Sequence, residues 1–238
     1  YMTPDDHEFT DNFPNAAPIV KTRVPQVPPE QLVSTFAAKQ AQRAFQQFQA
    51  QRDPSRLVYG FEAGPLRALV IDTRSERACH PYPGPSGGIF SAHTKRLVER
   101  WLRSPQAARQ LNLIVTGSVA LPAQRFDADP ANPGDPDDLS WSPADRQWLL
   151  DTLAQAQQRQ PGLRFMLLSG DYHVSTLLRV DVAGQPVGAA VVTPPLHSPL
   201  PYMDAWPEAL WLDEPLRVHT AAGALPLTLH SQLPGGTP

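Results

Sequence analysis

Residues 142–173 read SPADRQWLLDTLAQAQQRQPGLRFMLLSGDYH: a helix start, a helix, and a strand that ends in polar residues. Ser142 stands at an N-cap position, Pro143 at the first helical position, where its missing N–H is harmless, and Asp145 in the first turn. The apolar run that follows Pro161-Gly162 is too short for a second helix and is cut off by Ser169-Gly170. It reads as a strand buried on both faces. A helix that leads into such a strand is the repeating unit of an α/β protein with a parallel sheet.

The same alternation extends outward. Upstream, PLRALVIDTR (65–74) is a short apolar run ending near Asp72, SAHTKRLVERWLRS (91–104) has helical spacing, and LNLIVTGSVAL (111–121) is another buried strand ending near Thr116. Downstream, VSTLLRVDVAGQPVGAAVV (174–192) predicts a hairpin across AGQP, and PLRVHTAAGALPLTLH (215–230) a last strand pair. EQLVSTFAAKQAQRAFQQFQAQ (30–51) predicts a further helix, with Leu32, Phe36, Ala37, Ala41, Ala44, Phe45 and Phe48 on one face. Between these segments lie two turn-rich loops, CHPYPGPSGG (79–88) and the acidic RFDADPANPGDPDDLSW (125–141). The expected fold class is therefore α/β with antiparallel strands toward the C-terminus, in one domain over residues 1–238, without internal repeats.

Composition narrows the function. Twenty basic and 23 acidic residues give a net charge of −3, which argues against a nucleic-acid backbone binder, since those carry a basic face. No run of 18 apolar residues suggests a membrane span. The 28 prolines exceed a usual share of about 5 % and stiffen the loops. A single cysteine, Cys79, excludes an internal disulfide and a thiolate metal cage. The chain begins with Tyr1 and not methionine, so upstream sequence is expected, and the compartment stays open.

In open α/β sheets, ligands collect beyond the carboxyl ends of the strands. Three such ends carry polar residues: Asp72-Thr73-Arg74, Thr116-Gly117-Ser118 and Gly170-Asp171-Tyr172-His173. Asp171 and His173 are two residues apart, so on extended backbone both side chains point to one side, half of a metal site. Gly170 would permit a tight exit from the strand. Taken alone, the commoner meaning of that pair is a turn aspartate beside a surface histidine. Asp5-Asp6-His7-Glu8 is equally ambiguous alone, since acidic residues also suit a helix N-terminus. IDTRSER allows a plain ion-paired turn. Ser118 lacks the second glycine of a nucleophile elbow, Ala120 standing in its place.

The order of the motifs is more informative than any one of them. PDDHEFTDNF (4–13), LVIDTRSER (69–77), a helix opening SPADRQWLLDTL (142–153) and FMLLSGDYHVSTL (165–177) together resemble the PhoD-like alkaline phosphatases, a branch of the calcineurin-like metallophosphoesterases. The likeness runs from Tyr1 to about Val192. It implies a two-layer β-sandwich flanked by helices, with a multinuclear metal site at strand ends that hydrolyses phosphate monoesters and diesters. By the same resemblance Asp6, Asp171 and His173 are metal ligands. His7 faces the phosphoryl group and assists the leaving oxygen, with Glu8 able to orient it, and Arg74 is a cation that either faces the phosphate or stands behind the ligands. Calcium and iron are the expected metals, with manganese or zinc as alternatives, and a phosphate ester is the expected partner. In this family the D-D-H-E stretch is preceded by further ligand-bearing strands. The resemblance therefore implies the C-terminal portion of a phosphatase domain, lacking its N-terminal strands and carrying part of the site. An inactive half-domain that binds a phosphate-containing ligand or a partner subunit is the alternative.

Overall fold

The structure is a computed structural model that describes residues 43–45, 47, 58–75, 88–124, 138–172, 174–193 and 210–232. Asp6, His7, Glu8 and His173 lie outside these residues, as does nearly all of the helix expected over 30–51. Within that helix, Arg43 and Ala44 are helical and Phe45 is buried, but Ala44 is exposed and not on the apolar face expected for it.

Among the described residues, eight strands form one mixed sheet. In chain order they are β1 (Val58–Ala63), β2 (Leu66–Ile71), β3 (Leu111–Thr116), then, past the two-residue strand β4 (Ala123–Gln124), β5 (Arg164–Ser169), β6 (Thr176–Val182) and β7 (Gln185–Val192). β8 (Leu210–Trp211) pairs with β4 apart from the main sheet, and β9 (Leu216–Thr220) and β10 (Gly223–Ser231) complete it. The order across the sheet is β1-β2-β3-β5-β7-β6-β10-β9. Its centre, β2, β3, β5 and β7, is parallel, and the flanks are antiparallel.

Two crossovers build that parallel centre. Helix α1 (Ala92–Arg103) joins β2 to β3, and α2 (Pro143–Arg159) joins β3 to β5. Both step the same way across the sheet, and right-handed crossovers in one direction place their helices on one face. The core lies there: Leu69, Ile71, Ile114, Phe165, Leu167 and Ala190 pack against Val98, Leu102, Leu149 and Leu153. The second face carries Leu113, Val115, Met166 and Leu168, half-buried. One large sheet, helices on one face and an apolar second face agree with the sandwich-type α/β fold expected. No helix among the described residues is long and apolar enough to cross a membrane.

Local chemistry explains the joints. The Ser91 hydroxyl accepts the Thr94 N–H at 3.2 Å and caps α1. Ser142 does hold the cap position of α2, but its side chain makes no cap hydrogen bond. Asp145 instead turns its carboxylate to the backbone N–H groups of Ile89 and Phe90 and to Lys95. Ala183 and Gly184 both have positive φ, 49° and 75°, the two-residue turn that matches strand twist. Thus Gln185 and Pro186, expected in the loop, already belong to β7. Side chains of α2 satisfy the backbone of edge strand β9: Gln147 and Gln155 donate to the carbonyls of Arg217 and His219, and Asp151 accepts the His219 N–H.

Candidate functional site

The parallel strands end in register. Ile71 pairs with Thr116, Thr116 with Ser169 and Ser169 with Val192, so the residues after each strand emerge side by side on one rim of the sheet. Hydroxyls brace that rim. Thr116 and Ser169 share a hydrogen bond of 2.9 Å, Thr116 Oγ1 donates to the Ser118 carbonyl at 2.8 Å, and Thr73 Oγ1 donates to Ser118 Oγ while accepting the Ser118 N–H. All four side chains are buried. Ser118 is therefore part of the brace.

Asp72 shapes the exit of β2. Its Oδ1 accepts the N–H groups of Arg74 and Ser75 at 2.9 and 2.8 Å, a turn in which a carboxylate stands in for a carbonyl. That turn throws Arg74 inward, where it is wholly buried (0 % exposed). A buried guanidinium is tolerable only when its charge is met. Arg74 reaches across the rim to Asp171, Nη2 to Oδ2 at 3.3 Å, linking positions 97 residues apart. Two of the five candidate site residues are thus brought together, and the other three, Asp6, His7 and His173, lie outside the described residues.

The turn after β5 departs from expectation. Asp171, not Gly170, is the residue in the left-handed region, with φ of 77°. Such a conformation costs a non-glycine residue about 1–2 kcal/mol and persists only where its surroundings hold it. The backbone beyond Ser169 is no longer strand, so the same-side argument for Asp171 and His173, which assumed extended chain, does not apply. A Cβ added at Gly170 would meet nothing within 4 Å.

Sequence reasoning missed the residue that anchors this turn. Tyr172 is 1 % exposed, packed with Val119 and Val192, and its hydroxyl donates to Asp138 Oδ2. The other oxygen of Asp138 accepts the Ser140 N–H at 2.6 Å, and the Leu139 N–H donates to the Val119 carbonyl at 2.9 Å. Burial, reinforced by the negative charge and hydrogen bond of Asp138, raises the Tyr172 pKa well above its ordinary value of 10, so the hydroxyl stays a donor into the alkaline range. Nearby, Arg146 donates to the Ala120 carbonyl at 3.1 Å and grips both oxygens of Glu214 at 2.7 Å. Burial works against the Arg146 cation, yet the bonds to Glu214 and the charges of Glu214 and Asp138 outweigh it and raise its pKa. The spacing Asp138-Leu139-Ser140 is one readable turn signal within the acidic, turn-rich loop.

Among the described residues no three His, Cys, Asp or Glu side chains gather closely enough to hold a metal ion. The two candidate site residues that do meet are the Asp171 carboxylate and the Arg74 guanidinium. Carboxylate oxygen suits hard cations such as calcium, as well as iron, manganese or zinc, so the chemistry of Asp171 fits the metals expected.

Comparison with known proteins places this geometry. A family model for PhoD-like phosphatases matches residues 1–209. The solved structure of PhoD superposes with a TM-score of 0.58 at 18 % identity, covering 80 % of this chain and 38 % of that one. At that identity the likeness establishes the fold, and the chain spans less than two-fifths of the length of that structure. No functionally curated sequence matches.

Proposed function

The chain belongs to the PhoD-like phosphatase family, and we propose that it takes part in metal-dependent hydrolysis of phosphate monoesters or diesters, supplying part of a multinuclear site. The observation that carries this reading is the Arg74–Asp171 pair at the rim of the parallel strands, where an α/β sheet collects its ligand. Asp171 is the metal-ligating carboxylate. Arg74, with no exposed surface, acts behind it: its guanidinium fixes the carboxylate in one rotamer and balances its charge before any cation arrives. Asp6 and His173 are the other ligands this chain contributes. His7 faces the phosphoryl group and gives its proton to the leaving oxygen, with Glu8 orienting the ring. Bound cations would neutralise charge on the phosphoryl oxygens and lower the pKa of the attacking water. The protein's own share is preorganisation, since groups already held in place need no rearrangement as charge shifts.

The test is metal content. The chain and its Asp171→Ala variant are loaded in turn with calcium, iron, manganese and zinc, desalted and analysed for bound metal. The reading expects at least one metal retained by the wild type and lost from the variant. Equal retention by both would remove Asp171 from the site. Calorimetric binding of inorganic phosphate without turnover of any ester would replace hydrolysis with the ligand-binding alternative.

A further inference from the structure

We infer that Asp138 and Tyr172 are positioning residues, whose buried hydrogen bond sets the left-handed conformation of Asp171 and so the direction of its carboxylate. The inference rests on the reading of Asp171 as a site residue, and it adds two side chains that the motifs alone do not single out.

The geometry is that of a peg and socket. Strand β5 stops at Ser169, and the chain turns within three residues, the Tyr172 N–H donating to the Gly170 carbonyl at 3.0 Å. Asp171 sits at the apex with φ of 77°. A residue held there relaxes unless both flanks are fixed. On one flank, the carboxylate is held by Arg74. On the other, the Tyr172 ring is sunk between Val119 and Val192 and its hydroxyl is seated on Asp138. Asp138 is itself fixed through Ser140, in a turn tied to Val119 by the Leu139 N–H. Val119 therefore serves twice, its side chain walling the ring and its carbonyl holding the socket. Ring packing alone would leave Tyr172 free to slide along its apolar walls; the hydroxyl fixes its depth, and with it the apex.

Tyr172→Phe keeps the ring and removes only the hydroxyl. Hydrogen exchange read by mass spectrometry on peptides covering 170–175 is expected to quicken about ten-fold, with peptides of β2 and β3 unchanged. Calorimetry is expected to show Mn2+ binding weakened about ten-fold, the usual effect of losing a support behind a metal ligand. Asp138→Ala should do the same, and the double variant should be no worse than Asp138→Ala alone, because the two act as a unit. Unchanged exchange at 170–175 in Tyr172→Phe would overturn the inference. So would faster exchange with Mn2+ affinity intact, since Tyr172 would then be purely structural. A wild-type chain that binds no Mn2+ would count against the metal reading alone, and the exchange comparison would still decide whether the pair holds the turn.

Discussion

Asp145 should be the most consequential carboxylate for stability among those outside the site. It lies in the first turn of α2 and is 4 % exposed. One oxygen, Oδ2, accepts the buried N–H groups of Ile89 and Phe90, at 2.5 and 3.1 Å, while Oδ1 pairs with Lys95. Phe90 in turn meets Trp148 edge-on, with ring centroids 5.5 Å apart. The carboxylate thus clasps the segment before α1 to the start of α2. Asp145→Ala strands both donors, each costing about 1–3 kcal/mol when buried without a partner, and also loses a half-exposed ion pair worth about 1 kcal/mol. A loss of about 3–7 kcal/mol is expected. Asp145→Asn is the control, because its carbonyl can keep both N–H groups and only the pairing with Lys95 is lost, about 1 kcal/mol. Urea titration of the wild type and both variants reads the difference through the midpoints. If Asp145→Ala falls within about 1 kcal/mol of Asp145→Asn, the stranded-donor argument is wrong and the clasp is electrostatic only.

Other consequences follow from single contacts. A Cβ at Gly188 would lie 2.5 Å from the Phe165 carbonyl oxygen and 2.8 Å from its ring; Gly188→Ala should destabilise by about 1–3 kcal/mol, and thermal unfolding with an unchanged midpoint would refute the close approach of β5 and β7. Glu214→Gln should cost about 3–5 kcal/mol because buried Arg146 loses the carboxylate bonded to it, and Arg146→Met with Glu214→Leu should restore most of that loss; a double variant worse than the single would count against the reasoning. The raised Tyr172 pKa means that folding favours the neutral phenol. Its contribution is complete below the unfolded value of about 10 and is lost as pH rises through the folded one. Unfolding midpoints should therefore fall above about pH 10, less steeply in Tyr172→Phe, and parallel curves for the two proteins would contradict this.

Much of this was legible in the sequence because the parallel centre depends on local signals. The runs in β2, β3 and β5 are apolar on both faces, and helices stand between them, which leaves few topologies open. β1 was missed, since VYGFEA carries Gly60 and Glu62 and is mostly exposed at the sheet edge, so it lacks the apolar signature of a central strand. The turn it makes with β2 at Gly64, φ 59°, was hidden in Ala63-Gly64-Pro65. The rim was also legible, because strand ends in a parallel sheet must converge. The pairing of Arg74 with Asp171 was not, since it joins two turns whose separation in the chain reveals nothing of their separation in space. Tyr172 stood between two residues already singled out, and its role depends on Asp138, 34 residues earlier. Gly170 misled for a physical reason: glycine permits a left-handed turn, and here the aspartate after it adopts one.

The central claim is best tested by phosphate release from an aryl phosphate monoester and the matching diester, measured on protein in which this chain's part of the site is completed by the remaining ligands, as loaded with metal, after a chelator, and after metal is restored. The account predicts hydrolysis of at least one ester that chelation abolishes and that calcium, iron, manganese or zinc restores. Hydrolysis indifferent to the chelator, or none with any of the four metals, would contradict it.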